Sequence, residues 1–522
     1  MSGRRLVAVA ALVALSLVAC GDIDSGVVVE RADSADAPAG SLPTPDTTGG
    51  PPLVGTVEPP TTDATGDTVE PTGPVEPVVI PDVVDFGSNK PPRPYDDTMQ
   101  LAFADVEQFW ADNYEALYGS PWEPVAGIYA HYPERPDDEL PESCEGPVDY
   151  EQVEGNAFYT SCGDIIVYDD AVLIPELVDK LGESAAAVVA AHEYGHAIQE
   201  RAGVFGLGLP TVETEQQADC FAGAWTAHVA RGESDLLQFD DAAVKGGLVA
   251  MIEVRDPPGL DVAADENGHG SAFDRVGAFQ VGFLEGLERC ATFPDDPNPR
   301  IDLKFITERE AASGGDLPFD EILAELPTAL DTFWLPTLEA NSIPFTSPTL
   351  VPFPTDGPYP ECGDLGGDEL SRTATYCPAT NTIAYDDDFA RQIHDEVGDL
   401  AFAYPIAIAY SDAVQAAIES PLEGEERVLL NDCLVGAWIV DIVPAFDELG
   451  NPVVDAEGNL QARNPEQQIL LSAGDLDEAV ITAVIVGDEA ASTNRLGTAF
   501  DKIDAFRSGV LGGIEGCQAR LD

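Results

Sequence analysis

Basic residues are scarce in this chain. It has 24 lysines and arginines against 95 aspartates and glutamates, for a net charge of −71 over 522 residues. That deficit excludes a nucleic-acid partner, which needs a basic stripe to meet its phosphates. Aromatic residues and hydrophobic periodicity are nearly missing from residues 21–95, which are rich in Pro, Thr, Gly and Asp. Such a segment cannot bury enough apolar surface to offset its ordering entropy, so it is expected to be a disordered tether. As a coil it reaches on the order of 50 Å. It holds only 13 of the 95 acidic residues, leaving 82 for the folded part. The acidity therefore belongs to domain surfaces, where it favours solubility and repels anionic lipid and wall polymers. Long apolar runs are missing too, apart from the 14 residues Leu6–Ala19 that follow Arg4 and Arg5. That run is too short for an ordinary membrane span and suits the apolar core of a signal peptide.

The apolar run ends in Leu17-Val18-Ala19-Cys20-Gly21. This resembles the lipobox of bacterial lipoproteins, which implies cleavage before Cys20 and lipid on its thiol. The expectation is an extracytoplasmic protein anchored to the cell membrane through Cys20, with residues 1–19 removed and 20–95 as the tether.

Histidine is also rare, with six in the chain. Two of them stand four apart in His192-Glu193-Tyr194-Gly195-His196, within the apolar run SAAAVVAAHEYGHAIQE. That run has the composition of a buried helix. Residues four apart share one helical face, so His192 and His196 can grip one metal ion, and Glu193 can reach a water on it. A mononuclear zinc hydrolase needs a third protein ligand and an open fourth position. The next helical pattern, TVETEQQADCFAGAWTAHVA, offers Glu215, with Asp219 four residues on and so on the same face. Asp219 can accept the free N–H of a ligand histidine and fix its orientation. Glu213 is the rival ligand, but its own i+4 neighbour is Gln217, a weaker partner for a histidine.

Together these motifs resemble a bacterial family of neutral zinc metallopeptidases, gluzincin-like in site layout. The resemblance rests on HEYGHAIQ, then E-x-x-A-D-C-F-A-G-x-W at 215–225, then HGSAFDR at 269–275 with Phe279, Gly282, Phe283 and Gly286, and it covers about residues 96–291. It implies a zincin-like fold, one zinc ion held by His192, His196 and Glu215, and Glu193 as general base. The substrate class it implies is a peptide or protein. Two departures stand out. The spacing between the histidine and glutamate motifs is short, and FYTSCGD replaces a simpler tyrosine–cysteine–proline run near 159–164. Peptide hydrolysis builds negative charge on the former carbonyl oxygen, and a nearby donor usually helps the metal stabilise it. His269 is the candidate donor, with a helix-capping or packing role as the alternative. Tyr159 is a weaker candidate and reads as core. Arg275 reads as a structural partner for an acidic group.

Setting Cys20 aside, eight cysteines remain, and an even set in an exported chain implies disulfides. An internal repeat prunes the possible pairings. IIVYDD returns as TIAYDDD, ADCFAGAW around Cys220 as NDCLVGAW around Cys433, and AFDRVGAFQVGFLEGLERC as AFDKIDAFRSGVLGGIEGC. EQFW at 107–110 is echoed by DTFW at 331–334. The expected bridges are Cys144–Cys162, Cys220–Cys290, Cys362–Cys377 and Cys433–Cys517. In the second repeat Ile408, Ala409 and Asp412 stand where His192, Glu193 and His196 stand in the first. Val428 replaces Glu215, and only Asp432 matches Asp219. No zinc site can be built from those side chains. His394 lies outside the matching positions and is expected at the surface.

The expectation is therefore an α+β, mainly helical protein with two tandem domains after the tether. Residues 96–291 form the zinc metallopeptidase domain, 292–314 a connector, and 315–522 a degenerate pseudo-peptidase domain. A small sheet is expected near the first cysteine pair, where FYTSCGDIIVYDD has strand-like composition. A non-catalytic surface-binding lipoprotein, and a zinc amidase acting on wall peptides, are the competing functions.

Overall fold

Alanine-rich sequence makes the run Glu183–Ala202 a good helix former, and Gly203, in the left-handed conformation, ends it. Every residue from Ser184 to Gln199 is buried, so this helix is a core element with neighbours all round. The computed structural model describes residues 80–144, 146–260, 268–301, 303–446, 453–454, 460–487 and 498–518. The signal segment, Cys20 and most of the expected tether lie outside the described residues. The protein is α+β and mainly helical, and it divides into two units between residues 302 and 303.

In the first unit a four-stranded sheet pairs Val84–Asp85, Gly127–His131 and Ile165–Asp169 in parallel, with Ala157–Thr160 antiparallel at the far edge. The last two strands form a hairpin over Ser161–Asp164, as the sequence around the first cysteine pair suggests. Around it pack Asp96–Tyr118, the histidine helix Glu183–Ala202, the glutamate helix Thr211–Ala230, Asp241–Glu253 and the arginine helix Ala272–Glu285. The expected tether boundary at residue 95 is too late. Val84 and Asp85 add a strand to the sheet, and Lys90 is buried between Asp96 (2.6 Å) and Asp170 (2.8 Å). Proline and polar composition hid this because the segment is held by one short strand and one ion-pair cluster, not by an apolar face.

The second unit repeats the plan. Thr349–Phe353 and Thr382–Asp386 pair in parallel, and Ala374–Cys377 and Thr382–Asp386 antiparallel. Phe319–Ala340, Asp399–Ala417, Gly424–Ile442, Asp475–Gly487 and Ala499–Gln518 follow the same order as the five helices of the first unit. The expected connector is shortened, since the unit boundary falls inside it and Glu310 already accepts a bond from Ser472 (2.7 Å) within the second unit. All four disulfides form as the repeat suggests, with Cα separations of 4.9 Å in both short bridges and 5.6 Å in both long ones.

The two units also share one close helix crossing. A Cβ on Gly223 would lie 2.0 Å from the Phe279 carbonyl oxygen, and one on Gly436 would lie 2.1 Å from that of Phe506. The glutamate and arginine helices thus meet backbone to backbone, beside the long disulfide. Gly223→Ala should cost about 3 kcal/mol, near the top of the usual overpacking range, because the obstructing atom is main chain and cannot rotate away. Chemical denaturation reads this as a lower midpoint at unchanged slope. A neutral result would show that the two helices do not cross this closely.

Candidate metal centre and active site

The histidine and glutamate helices bring three side chains to one point. His192 Nε2 and His196 Nε2 lie 3.2 Å apart. Glu215 Oε2 is 3.2 Å from His192 Nε2, and Glu215 Oε1 is 3.3 Å from His196 Nε2. Ligands at about 2.0–2.1 Å from a tetrahedral zinc stand about 3.3 Å from one another, so these spacings match a zinc coordination shell. Among the described residues this is one of two groups of acid, histidine or cysteine side chains spaced to hold an ion. All three residues are buried, and Glu215 Oε2 has no hydrogen-bond partner.

Hydrogen bonding behind the ligands says which nitrogens face inward with lone pairs. His192 Nδ1 sits 2.8 Å from Asp219 Oδ1. A carboxylate only accepts, so with a metal on Nε2 the Asp219 carboxylate would keep the remaining proton on Nδ1. His196 Nδ1 is 2.8 Å from Gln199 Oε1. The Gln199 amide is oriented because its Nε2 donates to the Thr214 carbonyl (2.6 Å) and to Gln217 Oε1 (3.2 Å), while Gln217 Nε2 donates to the Cys290 carbonyl (3.0 Å). His196 Nδ1 therefore donates as well. Two lone pairs and a carboxylate converge on one buried point, an arrangement that a cation satisfies and that is repulsive without a cation or proton.

The electrostatics agree. Burial disfavours a charged imidazole, yet Asp219 and Glu215 outweigh it and push His192 up to about 10. His196 is raised as well, with Glu215 outweighing its burial. Despite burial, His196, His192 and His269 hold Glu215 well below the usual carboxylate range. Because His192 is raised, its protonated form stabilises the metal-free fold fully below pH 6.5, and that stabilisation is lost as pH climbs through about 10. A metal bound here would have to displace this proton, so its apparent affinity would rise with pH in the same window.

The remaining residues fall around this centre. Asp219 is gripped at both oxygens by Arg275, at 2.8 and 3.0 Å, and Arg275 also donates to the Val254 carbonyl (2.7 Å). Glu193 is buried beside the ligands on the same helix. His269 is buried close enough to act on Glu215, and Asp256 fixes it through its backbone N–H (2.7 Å) and Nδ1 (3.2 Å). Glu213, the rival ligand, instead pairs with Arg300 at 3.1 Å. Tyr159 is core, its hydroxyl donating to Asp164. Sequence reasoning missed Asp256 and Gln199, and weighed Gln217 only as the i+4 neighbour of Glu213. Gln199 sits inside the HEYGHAIQ motif, so its i+3 spacing from His196 was the available signal.

The second unit shows what the same frame does without ligands. Gln415 keeps the clamp of Gln199, donating to the Arg427 carbonyl (2.7 Å) and to Asn431 (2.7 Å), but its Oε1 is buried without a partner. Asp412, at the place of His196, is bound by Arg427 at 2.7 Å. Asp432, at the place of Asp219, takes Tyr404 (2.6 Å) and Lys502 (3.4 Å). His394, expected at the surface, is half-buried with Nε2 2.8 Å from the Leu317 carbonyl.

Comparison with known proteins adds distant relatives. The chain is 32% identical over 154 residues to uncharacterised proteins of Mycobacterium bovis and of two Mycobacterium tuberculosis strains. That match covers 25% of this chain and 53% of each relative, so the chain spans about half the length of the curated relatives it matches. No protein-family model matches the chain. No solved structure matches it either.

Proposed function

We propose that the first unit is a zincin-like, zinc-dependent hydrolase of peptide bonds, and that the second is a non-catalytic duplicate of it. The observation that carries this reading is the convergence of two imidazole lone pairs and the Glu215 carboxylate next to Glu193. His192, His196 and Glu215 would hold the metal. A zinc ion bound there supplies Lewis acidity and brings the pKa of a water towards neutrality. Glu193 takes the proton from the attacking water and passes it to the departing amine. His269, held through Nδ1 by Asp256, has Nε2 to stabilise the carbonyl oxygen as its charge grows. Asp219 and Arg275 position His192.

The place of action we propose is outside the cytoplasm, tethered to the membrane through lipid on Cys20. Four disulfides suit an oxidising compartment. Among the described residues no helix is long and apolar enough to cross a membrane.

The test joins elemental analysis to cleavage of a broad peptide library by the chain without its first 79 residues. About one zinc per chain is expected, bound more tightly as pH rises from 6 to 9, together with endoproteolytic or exoproteolytic products. His196→Ala should lose both. Cleavage confined to wall-derived peptides would redirect the reading to an amidase. Absence of zinc in the wild-type protein would overturn it in favour of a binding protein.

A further inference from the structure

A second convergent group lies in the second unit, and it contains no histidine ligand. Asp316, Asp399 and Glu478 place carboxylate oxygens within 4.8 Å of one another. Asp399 begins one helix, and Glu478 lies in the first turn of another, Asp475–Gly487. Asp475, one turn before Glu478, is only 4% exposed. One of its oxygens takes the Ser472 N–H at 2.7 Å, while the other, Oδ1, has no partner. Burial first, and then the negative charges around them, push the Asp475 and Glu478 carboxyls well above the usual carboxylate range.

Helix capping explains part of this arrangement. Asp399 accepts from the Leu317 N–H (2.7 Å), and Glu478 from those of Leu400 (2.8 Å) and Ala401 (3.3 Å). It does not explain why four carboxylates share one largely buried space. One carboxylate per helix start satisfies the N–H groups, and each further buried negative charge is costly unless a proton or a cation joins it; Asp316 and Glu478 share a side-chain hydrogen bond, and His394 acts on Asp316 and Asp399. The fold also makes room for the cluster. Gly398 has φ +144°, and a Cβ there would lie 2.1 Å from the Glu478 carboxyl carbon. Its counterpart in the first unit, Gly182, faces open space. Among the described residues the first unit brings together no such group besides the histidine site, so the cluster is particular to the second repeat.

We propose that Asp316, Asp399 and Glu478, with the unpartnered Oδ1 of Asp475 beside them, form a binding site for a hard divalent cation, calcium in an extracytoplasmic setting. Oxygen-only donors exclude a preference for zinc and suit calcium, whose oxygens stand at about 2.3–2.6 Å and so up to about 5 Å from each other across the ion. Half-buried Asp316 lies on the solvent side of the three buried carboxylates. A bound ion ties the segment before Phe319 to the starts of two helices, so it braces the second unit independently of the zinc site.

The test is equilibrium dialysis of the zinc-saturated chain against calcium, with both metals counted by elemental analysis, and thermal unfolding with and without calcium. We expect about one saturable calcium per chain at or below about 1 mM, in addition to zinc, and a higher unfolding temperature for the second unit. Asp399→Asn and Glu478→Gln keep the hydrogen-bond acceptors to the backbone. Each should weaken calcium binding at least tenfold without changing zinc content. Asp388→Asn, an acid outside the cluster, should change nothing. Absence of saturable calcium in the wild-type chain would overturn the proposal without needing any variant. Binding that persists unchanged in both cluster variants would assign the calcium to the acidic surface and would equally overturn it.

Discussion

Glu193→Gln should keep about one zinc per chain while hydrolysis falls about 10²–10⁴-fold, the range that a positioned general base supplies. Glu193 is not one of the three side chains whose atoms converge on the metal position, so the metal should stay. Glutamine matches glutamate in shape, so the fully buried helix keeps its packing and Tm should barely move. What changes is the capacity to take a proton, which an amide lacks. Glu193→Asp retains a carboxylate one methylene further from the reacting atoms and should fall between the two, because proton transfer depends on reach. Zinc content measured in the same preparations separates chemistry from metal loss. Undiminished turnover by Glu193→Gln, on any substrate that the wild type cleaves, would remove Glu193 as the base.

The parts of the site that periodicity governs were legible in the sequence. His192 and His196 share a helix face because they are four apart, and Asp219 lies one turn beyond Glu215 for the same reason. The choice of Glu215 over Glu213 rested on that i+4 neighbour, and Arg300 proves to be the partner that Glu213 has instead. The disulfides were legible because the repeat carries each cysteine at a matching position. Contacts made by loops across the fold left no such mark. Asp256 reaches His269 over 13 residues with no periodic signal. Lys90 sits among prolines yet is buried in an ion-pair cluster, because one charge network can order a segment that has no apolar face. The four carboxylates of the second unit come from three separate stretches, and in a chain with 95 acidic residues their individual positions say nothing until the fold collects them.

Arg275→Leu should destabilise the first unit by about 3–5 kcal/mol, the usual cost of leaving one member of a buried ion pair behind. Arg275 and Asp219 are both buried, and the guanidinium meets both carboxylate oxygens. Without it, Asp219, which is fully buried, keeps only the His192 ring as a partner. For a unit of this size the loss corresponds to a Tm lower by about 10 °C. Zinc affinity should fall about 10–100-fold, because Asp219 then no longer holds the His192 ring in one orientation. The second unit supplies the design of the rescue. There Lys502 stands at the place of Arg275 and reaches the Asp432 carboxylate at 3.4 Å, so a single ammonium suffices to neutralise that position in a closely similar frame. Arg275→Lys should therefore recover more than half of the lost stability while recovering less of the zinc affinity, since one ammonium cannot grip both oxygens. Asp219→Asn combined with Arg275→Leu removes the orphaned charge as well as its partner. That double variant should be more stable than Arg275→Leu alone, with a coupling of about 1–3 kcal/mol. Additive losses in the double variant would show that the two residues do not act as a pair, and His192 would then need another explanation for its orientation.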